Sequence, residues 1–204
     1  DILLSAMALL ILWPILLLIA LVIWFDNGGP VFYTQERIGR NGHPFQIYKF
    51  RTMRNDAEAA GPQLSNEMDR RVTHVGLYLR RYRIDELPQF VNILRGDMSL
   101  VGPRPERAYF IEQISRHTSD FPRLLQMRPG LTSWGQVKYG YASTVEQICE
   151  RMQYDLYYID HFSLLFDLEY TRNPNTWSIV FADKGFMDDD MLQNGFNLSV
   201  GVKF

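Results

Sequence analysis

Apolar residues fill the start of the chain almost without a gap: from Ile2 to Phe25 only Ser5 and Pro14 fall outside the hydrophobic class. As a straight helix the run would measure about 36 Å, against a hydrocarbon core of roughly 30 Å, so its length permits a membrane span. Pro14 complicates that reading, because proline has no N–H and clashes with the carbonyl one turn earlier, which kinks or breaks a helix at mid-depth. Each half is then about 18 Å long, too short to cross alone. A hairpin that enters and leaves by one face therefore stands beside a full span. A basic n-region and a small-residue cleavage site are both missing, which argues against a removed signal peptide.

Beyond "DNGGP" the period changes. "VFYTQERIGRNGHPFQIYKFRTM" gives two strand-like runs around Asn41-Gly42, a hairpin signal. Residues 54–70 are polar and read as a loop or a surface helix. From Thr73, "THVGLYLRRYRIDELPQFVNILRG" reads as a helix, a junction near Asp85 and a second helix closed by Gly96. "DMSLVGPRPE" reads as a loop with little room for helix or ladder, because Gly102, Pro103 and Pro105 crowd it. Residues 106–119 are helical in composition, and "MRPGLTSWGQVKYGYAS" is loop and short strand. Ser143 and Glu146 make a capping box, behind which Val145, Ile148, Cys149, Met152, Leu156 and Ile159 recur at helical spacing. Past Thr171, "NGFNLSVGVKF" alternates like a strand; one strand cannot close a barrel, so an edge strand or a tail is expected.

Composition adds the compartment. With 21 basic and 23 acidic residues the net charge is −2, which excludes a general nucleic-acid surface. The bases cluster instead, as Arg37, Arg40, Lys49, Arg51 and Arg54, then Arg70, Arg71, Arg80, Arg81 and Arg83. Basic residues soon after a membrane segment place the soluble part in the cytoplasm. Cys149 is the single cysteine, so no intrachain disulfide forms, which suits a reducing compartment.

Familiar chemistries drop out first. There is no GxxxxGK[ST], GxGxxG, HExxH or GxSxG motif, and His43, His74, His117 and His161 lack ligand-like spacing. "RRYRIDELPQ" remains, with Asp85 and Glu86 adjacent. Neighbours on a helix point about 100° apart, so the two carboxylates have separate jobs. Pro88 is tolerated in a first turn, which would make Asp85 the N-cap or first residue, where free amides and the helix dipole hold a carboxylate ionised. An ionised aspartate can attack phosphorus, a neighbouring Glu86 can ligate Mg²⁺, and Arg80, Arg81 and Arg83 supply charge for a diphosphate. A capped helix after a solvated basic turn accounts for the same local residues. "GPRPE" fixes Arg104 between two prolines, and "KFRTM" sets Lys49 and Arg51 on one side of a strand by period two. Three basic loops beside a membrane segment describe a phosphate-handling site at a bilayer surface.

Four segments, "GPVFYTQERIGRNGHPFQIYKFRTM", "LRRYRIDELPQFVNILRGDMSLVGPRPE", "RPGLTSWGQV" and "YDLYYIDHFSLLFDL", resemble the bacterial sugar transferases, or monotopic phosphoglycosyl transferases. The resemblance implies transfer of a sugar 1-phosphate from a UDP-sugar to undecaprenyl phosphate at the cytoplasmic face of the bacterial inner membrane. UMP is released, and the step initiates cell-surface polysaccharide synthesis. Asp85 matches the family's nucleophile, which forms a covalent phosphosugar, and Glu86 its partner acid, associated with Mg²⁺. Arg80 and Arg104 match arginines linked to phosphate; Arg37, Lys49 and Arg51 lie in matched motifs. The resemblance favours a re-entrant hairpin at Pro14, although Trp13 stands where many members have Ser, and the tail after "LLFDL" departs from the usual basic, apolar helix.

The expected fold is thus α+β: a membrane-embedded re-entrant helix at 1–26, a compact, mostly helical cytoplasmic catalytic domain with a small β-hairpin at 27–170, and an atypical tail at 171–204. Expected partners are a UDP-sugar, undecaprenyl phosphate and inner-membrane lipid but no nucleic acid, with homo-oligomerisation left open. A membrane-bound phosphohydrolase using the same Asp, with water as acceptor, and a silent scaffold in polysaccharide export are the rival readings.

Overall fold

Helix α1 spans Ile2–Asn27 in a computed structural model that describes residues 1–59, 61–64 and 69–162. It ends at Gly28, whose left-handed φ of 58° turns its amide back onto the Trp24 carbonyl at 2.9 Å. The helical run continues through Pro14, which lies inside it. A proline costs its own hydrogen bond and crowds one carbonyl, and the turns on either side still hold the helix. Its side chains are mostly exposed, and by length and composition it can cross a membrane.

One stripe of α1 is covered. Ile23 is buried against Phe50 and Leu79, with Leu16, Ile19 and Ala20 alongside. At the other end Ser5 is buried, and the Asp1 carboxylate accepts a hydrogen bond from the Ser99 hydroxyl at 2.6 Å. Both ends of the helix rest on the same body of protein.

The hairpin forms as the sequence indicates. Strand β1 (Phe32–Ile38) pairs antiparallel with β2 (Pro44–Phe50), and Asn41 and Gly42 both take positive φ at the tip, the conformation that Asn-Gly tolerates. Helix α2 (His74–Arg81) starts at Thr73, whose hydroxyl accepts from the Gly76 amide. A 3-10 turn over Ile84–Gln89 leads into α3 (Phe90–Arg95), closed by a left-handed Gly96.

"DMSLVGPRPE" holds more order than its prolines indicated. Ser99–Val101 forms a short strand, β3. After α4 (Ala108–His117) and α5 (Phe121–Leu124) the chain returns as β4 (Gly130–Thr132), parallel to β3. The approach beside it needs two glycines: a Cβ on Gly130 would sit 2.2 Å from the Gly102 amide nitrogen.

The next segment adds a helix the sequence reading lacked, α6 (Trp134–Lys138), capped by Ser133. In α7 (Val145–His161) the N-cap is Thr144, which accepts from Gln147, one residue later than expected. Ser143 instead bonds the Gln147 side chain through its amide and its hydroxyl. Ile148, Met152 and Leu156 of α7 pack on Phe110, Ile114, Phe121 and Leu124, the main core, as their spacing predicts. The fold is α+β and mostly helical. The tail at 171–204 with its alternating pattern, the "LLFDL" end of the last motif, and parts of the 54–70 segment lie outside the described residues.

Candidate active site

A cleft of about 390 Å³ opens between the hairpin, the 3-10 turn and the "GPRPE" loop. Arg37, Lys49, Arg51, Arg80, Asp85, Glu86 and Arg104 all line it. They do not act alike.

Glu86 is the hub. It is 7% exposed, and its Oε1 takes Lys49 Nζ at 2.6 Å and Arg104 at 3.6 Å, while Oε2 takes Arg83 at 3.5 Å. Burial works to raise its pKa, but Lys49, Arg104 and Arg83 outweigh burial and hold the carboxyl well below the usual carboxylate range. Burial lowers the Lys49 ammonium against the pull of Glu86. One carboxylate therefore faces three cations in a part-buried wall.

Asp85 differs. It is 8% exposed, and among the described residues no side-chain hydrogen bond or ion pair reaches its carboxylate. Burial first, then the charge of Glu86, pushes its pKa up to about 6, against Lys49, Arg80 and Arg83. This corrects the expectation that a helix start would keep it strongly ionised. The 3-10 turn begins at Ile84 with Arg83 at the cap position in left-handed backbone, φ 52°, so Asp85 is neither the N-cap nor the first residue. Pro88 lies inside the turn and not in its first positions. A six-residue turn carries little dipole, and burial wins.

Arg80 reaches Thr52 through Nε at 2.9 Å and lowers the Asp85 pKa from the same wall. Arg37 is a brace: it donates to the Pro105 carbonyl at 3.1 Å, Glu106 at 3.3 Å and Gln35 at 2.7 Å, tying the "GPRPE" loop to β1. Burial moves it down to about 10. Strand β2 stops at Phe50, so period two does not carry Arg51 into the Glu86 cluster. Its guanidinium lies over Gly29, where a Cβ would approach within 2.2 Å, and bonds Asn55 at 2.7 Å.

Arg83, which the sequence reading named among the arginines for a diphosphate, lines the cleft. Four residues outside that reading, Arg107, Glu106, Arg151 and Asp155, complete the site, and Arg107 is paired with Glu58 at 3.0 Å. Glu106 links Arg37 to Arg151 of α7, the latter at 2.7 Å. Asp155, one helical turn on, carries a carboxyl raised to about 6 by burial.

The family model for bacterial sugar transferases matches residues 1–181. The chain belongs to that family. Over 168 residues, 82% of its length, the chain is 42% identical to UDP-N-acetylgalactosamine-undecaprenyl-phosphate N-acetylgalactosaminephosphotransferase of Aeromonas hydrophila. Over 171 residues, 83% of its length, it is 38% identical to UDP-glucose:undecaprenyl-phosphate glucose-1-phosphate transferase of Escherichia coli. A Caulobacter vibrioides protein of the latter name is 42% identical over 171 residues, 83% of this chain and 64% of that relative. The chain spans 40% of the length of the Aeromonas relative and 37% of the Escherichia coli one.

Whether the site suits Mg²⁺ turns on its donors. Among the described residues no group of three or more His, Cys, Asp or Glu side chains forms a protein-only cage. Mg²⁺ commonly takes one or two carboxylates and completes its shell with substrate phosphates and water. Adjoining Asp85 and Glu86 on the cleft wall, the first without a side-chain hydrogen-bond donor among the described residues, fit that pattern.

Proposed function

We propose that the protein transfers a sugar 1-phosphate from a UDP-sugar to undecaprenyl phosphate through a covalent intermediate on Asp85, releasing UMP, as the initiating step of cell-surface glycoconjugate synthesis. The observation that carries this reading is a buried carboxylate with no side-chain hydrogen-bond partner among the described residues, beside a cluster of cations in one cleft. A diphosphate entering there meets Lys49, Arg83 and Arg104, with Arg80 on the Asp85 side. Asp85 then attacks the phosphorus that bears the sugar, and the bond to the UMP oxygen breaks. An oxygen of the lipid phosphate next attacks the same phosphorus and frees the carboxylate. The cations stabilise charge on the departing UMP and need no reorganisation, because Glu86 already holds them. Mg²⁺, held by Asp85 and Glu86 with phosphate oxygens, would add neutralising charge on the diphosphate.

Phe50 lines the cleft and packs on Ile23 of α1, so a long lipid could present its head group there without leaving the bilayer. Two contacts support a re-entrant anchor with the domain on the cytoplasmic face of the inner membrane: Asp1 with Ser99 at one end and Ile23 with Phe50 and Leu79 at the other. A straight span would put the two ends about 30 Å apart across the bilayer. In a Cys149→Ser background, Asp1→Cys and Asp26→Cys should both label with an impermeant maleimide from the cytoplasmic side only. Labelling of the first from the outer side alone would establish a span.

The test of the activity is a panel of UDP-sugars scored for UMP release with and without undecaprenyl phosphate. The relatives' names differ in their sugar, so the panel also decides the donor. Release should depend on the lipid by at least about 100-fold. Release indifferent to lipid would instead identify a phosphohydrolase.

A further inference from the structure

One cation of the cleft stands apart from the Glu86 cluster. Arg51 is 7% exposed and lines the cleft, yet its guanidinium makes no ion pair among the described residues. Nη1 donates to the neutral Asn55 side chain at 2.7 Å, while Nε and Nη2 are shielded from solvent and have no hydrogen-bond partner among those residues. The charge of Asp26, at the end of α1, reaches the group only through space. A buried cation in this state is costly unless an anion completes it. The two unmet nitrogens are neighbours on one edge of the guanidinium, and that edge is the fork that takes two oxygens of a phosphate side by side.

The surroundings of Arg51 indicate what bears that phosphate. Its guanidinium lies over Gly29, just beyond the end of α1, where a Cβ would stand 2.2 Å from Nη1. A residue without a side chain leaves room for the charge at the foot of the apolar helix. The Arg51 amide donates to the Val31 carbonyl at 2.8 Å, which sets Pro30 and Phe32 beside it. Phe32, half-exposed, stacks on Phe50 with ring centroids 5.4 Å apart, and Phe50 packs on Ile23 of α1. Pro30, Phe32 and Phe50 all line the cleft, so an apolar surface runs from α1 to the guanidinium. On the other side Arg80, which acts on Asp85, donates to the hydroxyl of Thr52, the next residue after Arg51. Arg51 thus links the foot of the apolar helix to the Asp85 wall.

We propose that Arg51 is the receiving site for the phosphate of the lipid acceptor, a phosphomonoester on a long apolar chain, and that it is separate from the cations that hold the diphosphate donor. Two phosphate oxygens sit on Nε and Nη2, which leaves the third terminal oxygen to attack in the second step. The apolar chain lies along Phe32, Phe50 and the exposed side of α1. The proposal rests on the transferase reading in one respect, the identity of the acceptor.

The experiment uses the full chain in neutral detergent micelles. Dissociation constants are read from the rise in melting temperature with undecaprenyl phosphate, undecaprenol, phosphatidylglycerol, inorganic phosphate and UDP. The wild type should bind undecaprenyl phosphate at least about 10-fold more tightly than the other two lipids and inorganic phosphate. Arg51→Gln should weaken undecaprenyl phosphate by about 10-fold and change undecaprenol and UDP by less than about 2-fold. An equal loss for undecaprenol would make the effect one of fold, and an equal loss for UDP would assign Arg51 to the donor. Phosphatidylglycerol or inorganic phosphate bound as tightly as the acceptor would make this a general anion site. Any of these results, or an unchanged affinity for undecaprenyl phosphate, overturns the proposal. If Arg51→Gln does not fold, Gly29→Ala serves, because its Cβ displaces the guanidinium and keeps the charge. It should show the same selective loss at about 3-fold or more, and undiminished binding of undecaprenyl phosphate would again overturn the idea. A wild type that binds no undecaprenyl phosphate sinks the transferase reading and this site together. A wild type that binds it, with an Arg51→Gln variant that binds it equally well, sinks the site alone.

Discussion

Asp85→Asn is expected to abolish lipid-dependent UMP release, by about 10³-fold or more, and to remove the covalent phosphosugar adduct from the intact mass of protein incubated with UDP-sugar alone. An amide has almost the shape of a carboxylate and cannot attack phosphorus. The fold should not suffer, because no side-chain partner among the described residues is lost. Burial raises Asp85 to about 6, above its value in an unfolded chain, so the folded state holds the extra proton between about pH 4 and pH 6. The stability this group contributes is present below that window and is lost as pH rises through 6. At pH 8 the variant should therefore melt no lower than the wild type. Adduct formation in the wild type should climb as pH rises through about 6 and then level. The adduct is the readout of choice, because Asp155 titrates near the same value. A variant that retained the adduct would place the nucleophile elsewhere.

Glu86→Gln should act on the opposite side of the ledger. Removing the hub carboxylate leaves Lys49, Arg83 and Arg104 facing one another in a part-buried wall. Breaking a buried pair in this way costs about 3–5 kcal/mol, which for a chain of this size lowers the melting temperature by roughly 10 °C. Two further consequences separate this from ordinary misfolding. The charge of Glu86 is one cause of the raised Asp85 pKa, so the acid limb of adduct formation should move to lower pH. UDP should raise the melting temperature of the variant more than that of the wild type, because its diphosphate replaces the missing negative charge. No change in melting would show that solvent, and not Glu86, compensates the three cations.

Much of this arrangement was readable in residue order. Asn41-Gly42 requires a tip with positive φ, Gly96 ends a helix, and the 3.6-residue period from Val145 to Ile159 marks the core face of α7. Lys49, Asp85, Glu86 and Arg104 do meet in one cleft. The unreadable parts depend on pairing between distant segments. Ser99–Val101 and Gly130–Thr132 are too short to show a period, and their contact depends on the absent side chains of Gly102 and Gly130. Glu106 and Arg151 are 45 positions apart, and each alone resembles a surface charge. Asp155 sits in "YDLYYIDH" as one acid among tyrosines. The spacing of Arg151 and Asp155 beside the apolar stripe was the available sign that a helix face was charged and buried at once. The ionisation of Asp85 went astray for a related reason, since local rules describe a helix end in water and burial is set by the whole fold.

The attachment of α1 at both ends has a mechanical consequence. A flexible tether would let the catalytic body tumble above the bilayer, presenting its mouth to the leaflet only part of the time. A helix seated along the body by Asp1, Ser5 and Ile23 instead works as a keel. On the proposed function, the cleft would keep one height and one heading relative to the lipid surface, and the search for a lipid acceptor would reduce from three dimensions to two.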